Sequence, residues 1–222
     1  MRIMFIALLL PTVGVGTVAA QAHRPGAGAA LHAPASPQPT GFMLNAHTVA
    51  AFGTSAGDAT QLDDHPITTG IGPGGGVQVG YAFNRTVMVF ASADIAKQSS
   101  MRQDLPGNLG LTHIDLGARV NVPVHSSRVL PYAMASVERR SLGTNVEDDV
   151  TGAETKVSFS GFSLGVGGGV QYFMSPKLAL DAGVSVGFGK LGTLKVDGQK
   201  EQTPQLNNST TARLLFGMNW YP

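Results

Sequence analysis

The sequence predicts an all-β chain: a closed, antiparallel, eight-stranded up-and-down transmembrane β-barrel, preceded by a signal peptide and a flexible leader. Three observations carry that expectation. Apolar residues alternate with small or polar ones at period two along about eight segments, which gives each segment one oily face. The connections between those segments run long, short, long, short, long, short, long. Beyond the N-terminus no run reaches the roughly 18 consecutive apolar residues of a helical span.

Composition fits this class and removes others. Apolar residues make up 43% of the 222 residues and charged residues only 13%, while 29 glycines hold the balance near neutral hydropathy. That is neither a helical membrane protein nor a disordered chain. Arg2 is the only charge in residues 1–22, so the remainder carries 14 basic and 14 acidic side chains. A neutral chain of this kind argues against electrostatic binding to nucleic acid. The absence of cysteine excludes disulfide scaffolds, thiolate metal sites and a lipid anchor on Cys.

Residues 1–22, MRIMFIALLLPTVGVGTVAAQA, have one positive charge, a short apolar run and small residues at the end, the layout of a signal peptide cleaved after Ala20 or Ala22. Residues 23–40 form an Ala/Pro/Gly-rich leader in which Pro25, Pro34, Pro37 and Pro39 forbid a regular helix or a central strand. The barrel is expected over residues 41–222.

In the first strand Phe42, Leu44, Ala46, Thr48, Ala50 and Phe52 share a face, with Asn45 and His47 on the other. A long polar loop covers about 53–73. In the second, Val77, Val79, Tyr81 and Phe83 oppose Gln78, Gly80 and Ala82, and Asn84-Arg85 makes a tight turn. The third sets Val87, Val89, Ala91, Ala93 and Ile95 against Met88, Phe90, Ser92 and Asp94; both faces begin apolar, so its phase stays open. A polar loop, KQSSMRQDLPGNLG, follows. The fourth has Thr112, Ile114, Leu116, Ala118, Val120 and Val122 on one side and His113, Asp115, Gly117, Arg119 and Asn121 on the other. A one-residue slip would drive three ionisable groups into the oily layer, so this register is well specified.

A short connection around 123–128 leads to the fifth strand, LPYAMASVERR, whose phase the pattern does not fix. Next comes a polar loop, SLGTNVEDDVTGAETK. Strands six and seven lie within 158–189 on either side of Ser175-Pro176-Lys177. Their even positions, among them Leu164, Val166, Leu180 and Val184, are apolar and should face lipid. A fourth loop spans roughly 190–208. In the last strand Thr210, Ala212, Leu214, Phe216, Met218 and Trp220 alternate with Thr211, Arg213, Gly217 and Asn219.

Strands can cross lipid only if the sheet closes, because hydrocarbon offers the backbone no hydrogen-bond partners. At eight strands the interior holds side chains rather than a channel. Aromatic residues gather at the short-turn end (Tyr81, Phe83, Tyr132, Tyr172, Phe173, Trp220, Tyr221), as an interfacial girdle would.

The eight-strand pattern, the stretches GVGGGVQYFMSPKLAL and DAGVSVGFG, and the ending LLFGMNWYP resemble the small outer-membrane β-barrels of the OmpA/OmpX type over about residues 41–222. The resemblance implies location in the outer membrane of a Gram-negative bacterium, among outer-membrane lipids and lipopolysaccharide, with loops exposed to a possible extracellular ligand. It also implies that Gly217, Trp220 and Tyr221 form a terminal-strand signal for the barrel-assembly machinery. Pro222 departs from the usual aromatic terminus, and no residues remain for a peptidoglycan-binding domain.

Inside, Asp94, His113, Asp115, Arg119, Asp181 and Arg213 are expected to form a polar network that plugs the lumen, since isolated charges there must pair or meet water. The expected role is structural or surface-interacting. Alternatives are a narrow pore, a lipid-modifying barrel enzyme built on His113, Asp115 and a serine such as Ser163 or Ser185, and a secreted soluble β-barrel. The loop clusters Asp63-Asp64-His65 and Glu147-Asp148-Asp149 lack EF-hand spacing and suit solvated loops. Gly165 to Gly169 lie within a strand rather than before a helix, so they are no phosphate loop. No cofactor is expected.

Overall fold

The computed structural model describes residues 40–55, 67–68, 70–99, 108–122, 124, 128–147, 154–201 and 206–222. The expected signal peptide and nearly all of the leader lie outside these residues, as do Asp63-Asp64-His65 and Asp148-Asp149. Among the described residues, eight long strands form one sheet: β1 (Gly41–Ser55), β2 (Gly72–Ala82), β3 (Val87–Ser99), β4 (Asn108–Asn121), β5 (Val129–Glu147), β6 (Glu154–Ser175), β7 (Leu178–Leu191) and β8 (Leu206–Trp220).

Each strand pairs antiparallel with its neighbours in sequence, and β8 returns to β1, from Leu44 opposite Trp220 to Ser55 opposite Ser209. The ring of eight strands is therefore closed, with no free edge within it. No helix among the described residues is long and apolar enough to span a membrane; here the crossing is made by strands. The turn after β2 is fixed by Asn84, whose Oδ1 accepts from the backbone N–H groups of Thr86 at 2.8 Å and Val87 at 2.9 Å.

The alternation read from the sequence becomes an outer and an inner surface. On β6 and β7, Leu164, Val166 and Val184 are 66%, 53% and 45% exposed, and Leu180 is half-buried between neighbours on the same outer face. Ile95, Ile114, Leu116, Phe162 and Phe216 continue the same apolar wall around the barrel. A water-soluble monomer rarely exposes a contiguous apolar surface beyond a few hundred Å². A second sheet packed on this face would have buried these residues, and none does.

The two open phases resolve. In β3, Val87, Val89 and Ile95 point out while Met88, Phe90 and Asp94 point in. In β5, Val137 and Arg139 point out, and Tyr132, Glu138, Arg140 and Leu142 point in.

Three expectations need correction. The polar stretch after β5 is not a simple loop, because β5 continues to Glu147 and β6 begins at Glu154, paired in register throughout. A transmembrane strand needs only about 9–11 residues, so these strands of 19 and 22 residues stand beyond the wall. The stretch 190–208 likewise contains a hairpin. Thr193–Val196 pairs with both Gln199–Glu201 and β6, and turns at Asp197 and Gly198 with φ of 47° and 83°. Finally, Tyr132, Phe173 and Tyr221 do not belong to an outer girdle; all three are buried inside. Phe42, Tyr81 and Phe83 do lie outside, in edge-to-face pairs at 5.1 and 5.3 Å.

Candidate functional site

The inward positions build three layers. At the short-turn end Met43, Ala82, Met88, Phe173, Ala179 and Tyr221 form a buried apolar cluster. At the long-loop end Val49, Ala51, Ala96, Leu109, Leu111 and Leu142 form a second. Between them lies a layer of charged and amide side chains.

Arg213 of β8 is the hub. Its Nη1 donates to Asp94 Oδ2 and Asp115 Oδ2, both at 2.7 Å, its Nη2 to Glu138 Oε1 at 2.9 Å, and its Nε to Ser185 Oγ at 3.1 Å. One guanidinium thus ties together β3, β4, β5, β7 and β8. A planar fork with five donors suits such a site, whereas a lysine ammonium offers only a point charge. Glu138 also accepts from Ser163 Oγ at 3.0 Å.

A second centre is Asp181. It accepts from Tyr132 Oη at 2.7 Å, Asn219 Nδ2 at 2.7 Å, and Arg119 Nη1 and Gln171 Nε2, each at 3.2 Å. The Arg119 guanidinium lies over the Tyr132 ring, 3.8 Å from its centroid. Tyr221 Oη donates to Gln171 Oε1 at 3.1 Å and its ring stacks on Phe173, joining this centre to the apolar cluster below.

A chain of hydrogen bonds connects the two centres and fixes its own direction. The Asp181 carboxylate only accepts, so Asn219 turns its NH₂ toward it and its Oδ1 toward Asn45. Asn45 donates to that oxygen at 2.7 Å and turns its own Oδ1 to His47 Nδ1 at 2.6 Å. His47 Nε2 then meets Asp94 Oδ1 at 2.7 Å. Both His47 ring nitrogens thus meet an oxygen of the network. Among the described residues the inward layer holds three arginines, Arg119, Arg140 and Arg213, with four carboxylates, Asp94, Asp115, Glu138 and Asp181. Pairing opposite charges offsets part of the cost of burying them.

Glycines make room for these groups. A Cβ on Gly187 would come within 2.2 Å of Glu138 Oε2, and one on Gly165 within 2.1 Å of Glu138 Oε1. These two glycines, on adjacent strands, form the seat of Glu138.

All six residues expected in the lumen (Asp94, His113, Asp115, Arg119, Asp181 and Arg213) lie there, each at most 6% exposed. His113 stands apart chemically, since neither ring nitrogen bonds a protein group. His113, Asp115 and Glu138 can each bring a ligand atom within 4.8 Å of the others. Arg213, however, already occupies an oxygen of each carboxylate, so the cation of this cluster is the guanidinium. Ser163 is engaged with Glu138 and Ser185 with Arg213, so the serines do not form a relay with His113.

Sequence reasoning missed Glu138, Arg140 and Tyr132 as lumen groups, and placed His47 on the inward face of the first strand without naming it in the network. Arg140 donates to Thr211 Oγ1 and to the Ser209 carbonyl oxygen. The space left inside is small. The cavity around Arg213 and Asp181 measures about 30 Å³, and the one beside Arg140 about 20 Å³. Each has room for no more than a water or two. In the last strand Trp220 faces out, Tyr221 faces in, and Gly217 lies close against the β1 backbone at Ala46 and His47.

A closed ring of eight strands, apolar outside and ion-paired inside, defines a small transmembrane β-barrel. The sequence matches the family described as outer membrane protein beta-barrel domain over residues 5–210, and the chain belongs to that family. It is accordingly a protein of the Gram-negative outer membrane. Among solved structures it is similar to Neisserial surface protein A (TM-score 0.58, 20% identity, covering 82% of this chain and 98% of that one). It is also similar to OprG from Pseudomonas aeruginosa (0.52, 11%, 82% and 96%) and to AlkL in DMPC lipid bilayers (0.52, 12%, 90% and 96%). At these identities the likeness is one of fold. No curated protein matches the sequence.

Proposed function

We propose that this protein is a non-enzymatic, non-conducting outer-membrane barrel with a structural or surface-interaction role. It would display its long-loop end outward among lipopolysaccharide and be inserted by the barrel-assembly machinery through the β8 end, with Gly217, Trp220 and Tyr221. The observation that carries the reading is the ion-paired layer around Arg213, sealed above and below by apolar clusters. A pore needs a continuous column of water, and internal spaces of 30 and 20 Å³ do not supply one. Catalysis is disfavoured because Ser163 and Ser185 bond Glu138 and Arg213 rather than His113, and His113 faces the lumen, away from lipid. The extended β5–β6 hairpin and the one at Thr193–Glu201 offer surface for an extracellular ligand.

The test is conductance in planar bilayers with purified, heat-modifiable protein. The expected record is a silent membrane; steady openings that scale with added protein would support a pore instead.

A further inference from the structure

On the outer wall, where β7 parts from β6, lies a groove of about 860 Å³ whose cations pair with no carboxylate among the described residues. The ladder between β6 and β7 ends at Ser163 opposite Gly189, and β6 finds its next partner at Ser160 opposite Thr193. Lys190, Leu191 and Gly192 therefore leave the pairing, and a notch opens beside them. It is a dent and not a hole, because the Gly161 backbone packs so close to the Lys190 carbonyl that a Cβ would lie 1.8 Å from it.

The groove is lined by Arg139, Lys190, Lys195 and Lys200, with no carboxylate among its lining residues. None of the four makes an ion pair with a described residue, in contrast to Arg119 and Arg213 of the lumen. The Ser160 and Thr193 hydroxyls also line it, while Val137, Phe162, Leu164 and Phe188 lie at its membrane side, 53%, 67%, 66% and 54% exposed. Register places the boundary sharply: Arg139 is the cross-strand partner of Phe162, and Lys190 is two residues beyond Phe188 on β7.

We infer that this groove binds the phosphorylated head of an acylated glycolipid in the outer leaflet, the lipid A part of lipopolysaccharide. The inference rests on the proposed outward orientation of the long-loop end. Acyl chains lie along Val137, Phe162, Leu164 and Phe188, and the sugar ring meets Ser160 and Thr193. The phosphates, with sites for several donors, draw the three lysines and Arg139 together. Four unpaired cations side by side repel one another, and an anionic lipid removes that repulsion. A glycerophospholipid offers a single phosphate and no sugar, and so matches only part of the lining.

The test uses the full chain, folded in detergent and checked by heat-modifiable gel mobility, with bound lipid read by native mass spectrometry. The probes are bisphosphorylated lipid A, its dephosphorylated form, and phosphatidylglycerol. Expected is retention of one lipid A in preference to both others. Removing a basic group near a lipid surface weakens anionic-lipid binding about fivefold. The variant R139Q/K190Q/K195Q/K200Q, with four such groups removed, should therefore lose roughly six hundredfold. R85Q/K177Q, at the short-turn end, should bind as the parent does. Equal retention by the quadruple variant, or no preference for the phosphorylated glycolipid, overturns the site. Either result leaves the barrel in the outer membrane, whereas recovery of the native chain in a soluble periplasmic fraction would overturn the orientation on which the site depends.

Discussion

Arg213→Met tests whether the lumen is held by charge pairing. Methionine keeps most of the volume, so the loss is electrostatic: two ion pairs at 2.7 Å, one at 2.9 Å and a hydrogen bond at 3.1 Å. Removing one partner of a buried pair costs about 3–5 kcal/mol, because the other charge stays buried and uncompensated. Here Asp94, Asp115 and Glu138 are abandoned together, so a loss of at least ~3 kcal/mol is expected. That is a fifth or more of a typical domain's stability of about 5–15 kcal/mol. Urea unfolding from phospholipid vesicles measures it, with Trp220 as reporter; it is the only tryptophan and lies on the outer wall. If the cost is uncompensated charge, adding Asp115→Asn and Glu138→Gln should recover about half of it or more. A change below ~1 kcal/mol in Arg213→Met would refute the reasoning, since exposed pairs are worth no more than that.

Two further substitutions probe the layers around that hub. Gly187→Ala should cost about 1–3 kcal/mol by crowding Glu138, and in a Glu138→Ala background the cost should nearly vanish; additive losses in the double-mutant cycle would show that the glycine serves another purpose. Tyr221→Ala should cost about 3 kcal/mol in the same unfolding assay, as a buried aromatic does. A loss below ~1 kcal/mol would return Tyr221 to the outer girdle.

The wall of this barrel was legible in the sequence because lipid enforces a simple rule, apolar outward at every second residue. β4 shows this best, with His113, Asp115 and Arg119 on one side and Ile114, Leu116 and Val120 on the other. The rule failed where the inside is also apolar. Met88 and Phe90 build the inner layers, so β3 looked oily on both faces. In β5 the neighbours Arg139 and Arg140 point to opposite surfaces, one to the lipid boundary and one to the lumen, and their charge alone does not say which. That ambiguity hid Glu138 and Arg140. It also left Tyr132 and Tyr221 in a girdle, since an aromatic at a strand end serves a plug as well as an interface. The extensions of β5 and β6 left no trace because outside the membrane both faces are free to be polar.

Site-directed spin labelling in lipid bilayers tests the central claim most directly, and the cysteine-free chain needs no background mutations. Labels at Leu164, Val184 and Leu214, all more than 40% exposed on the wall, should relax with oxygen far more than with a water-soluble nickel complex. A label at Ser185, 3% exposed beside Arg213, should be immobile and shielded from both. Wall labels that respond to nickel as strongly as to oxygen would contradict the account, for the apolar face would then meet water instead of lipid.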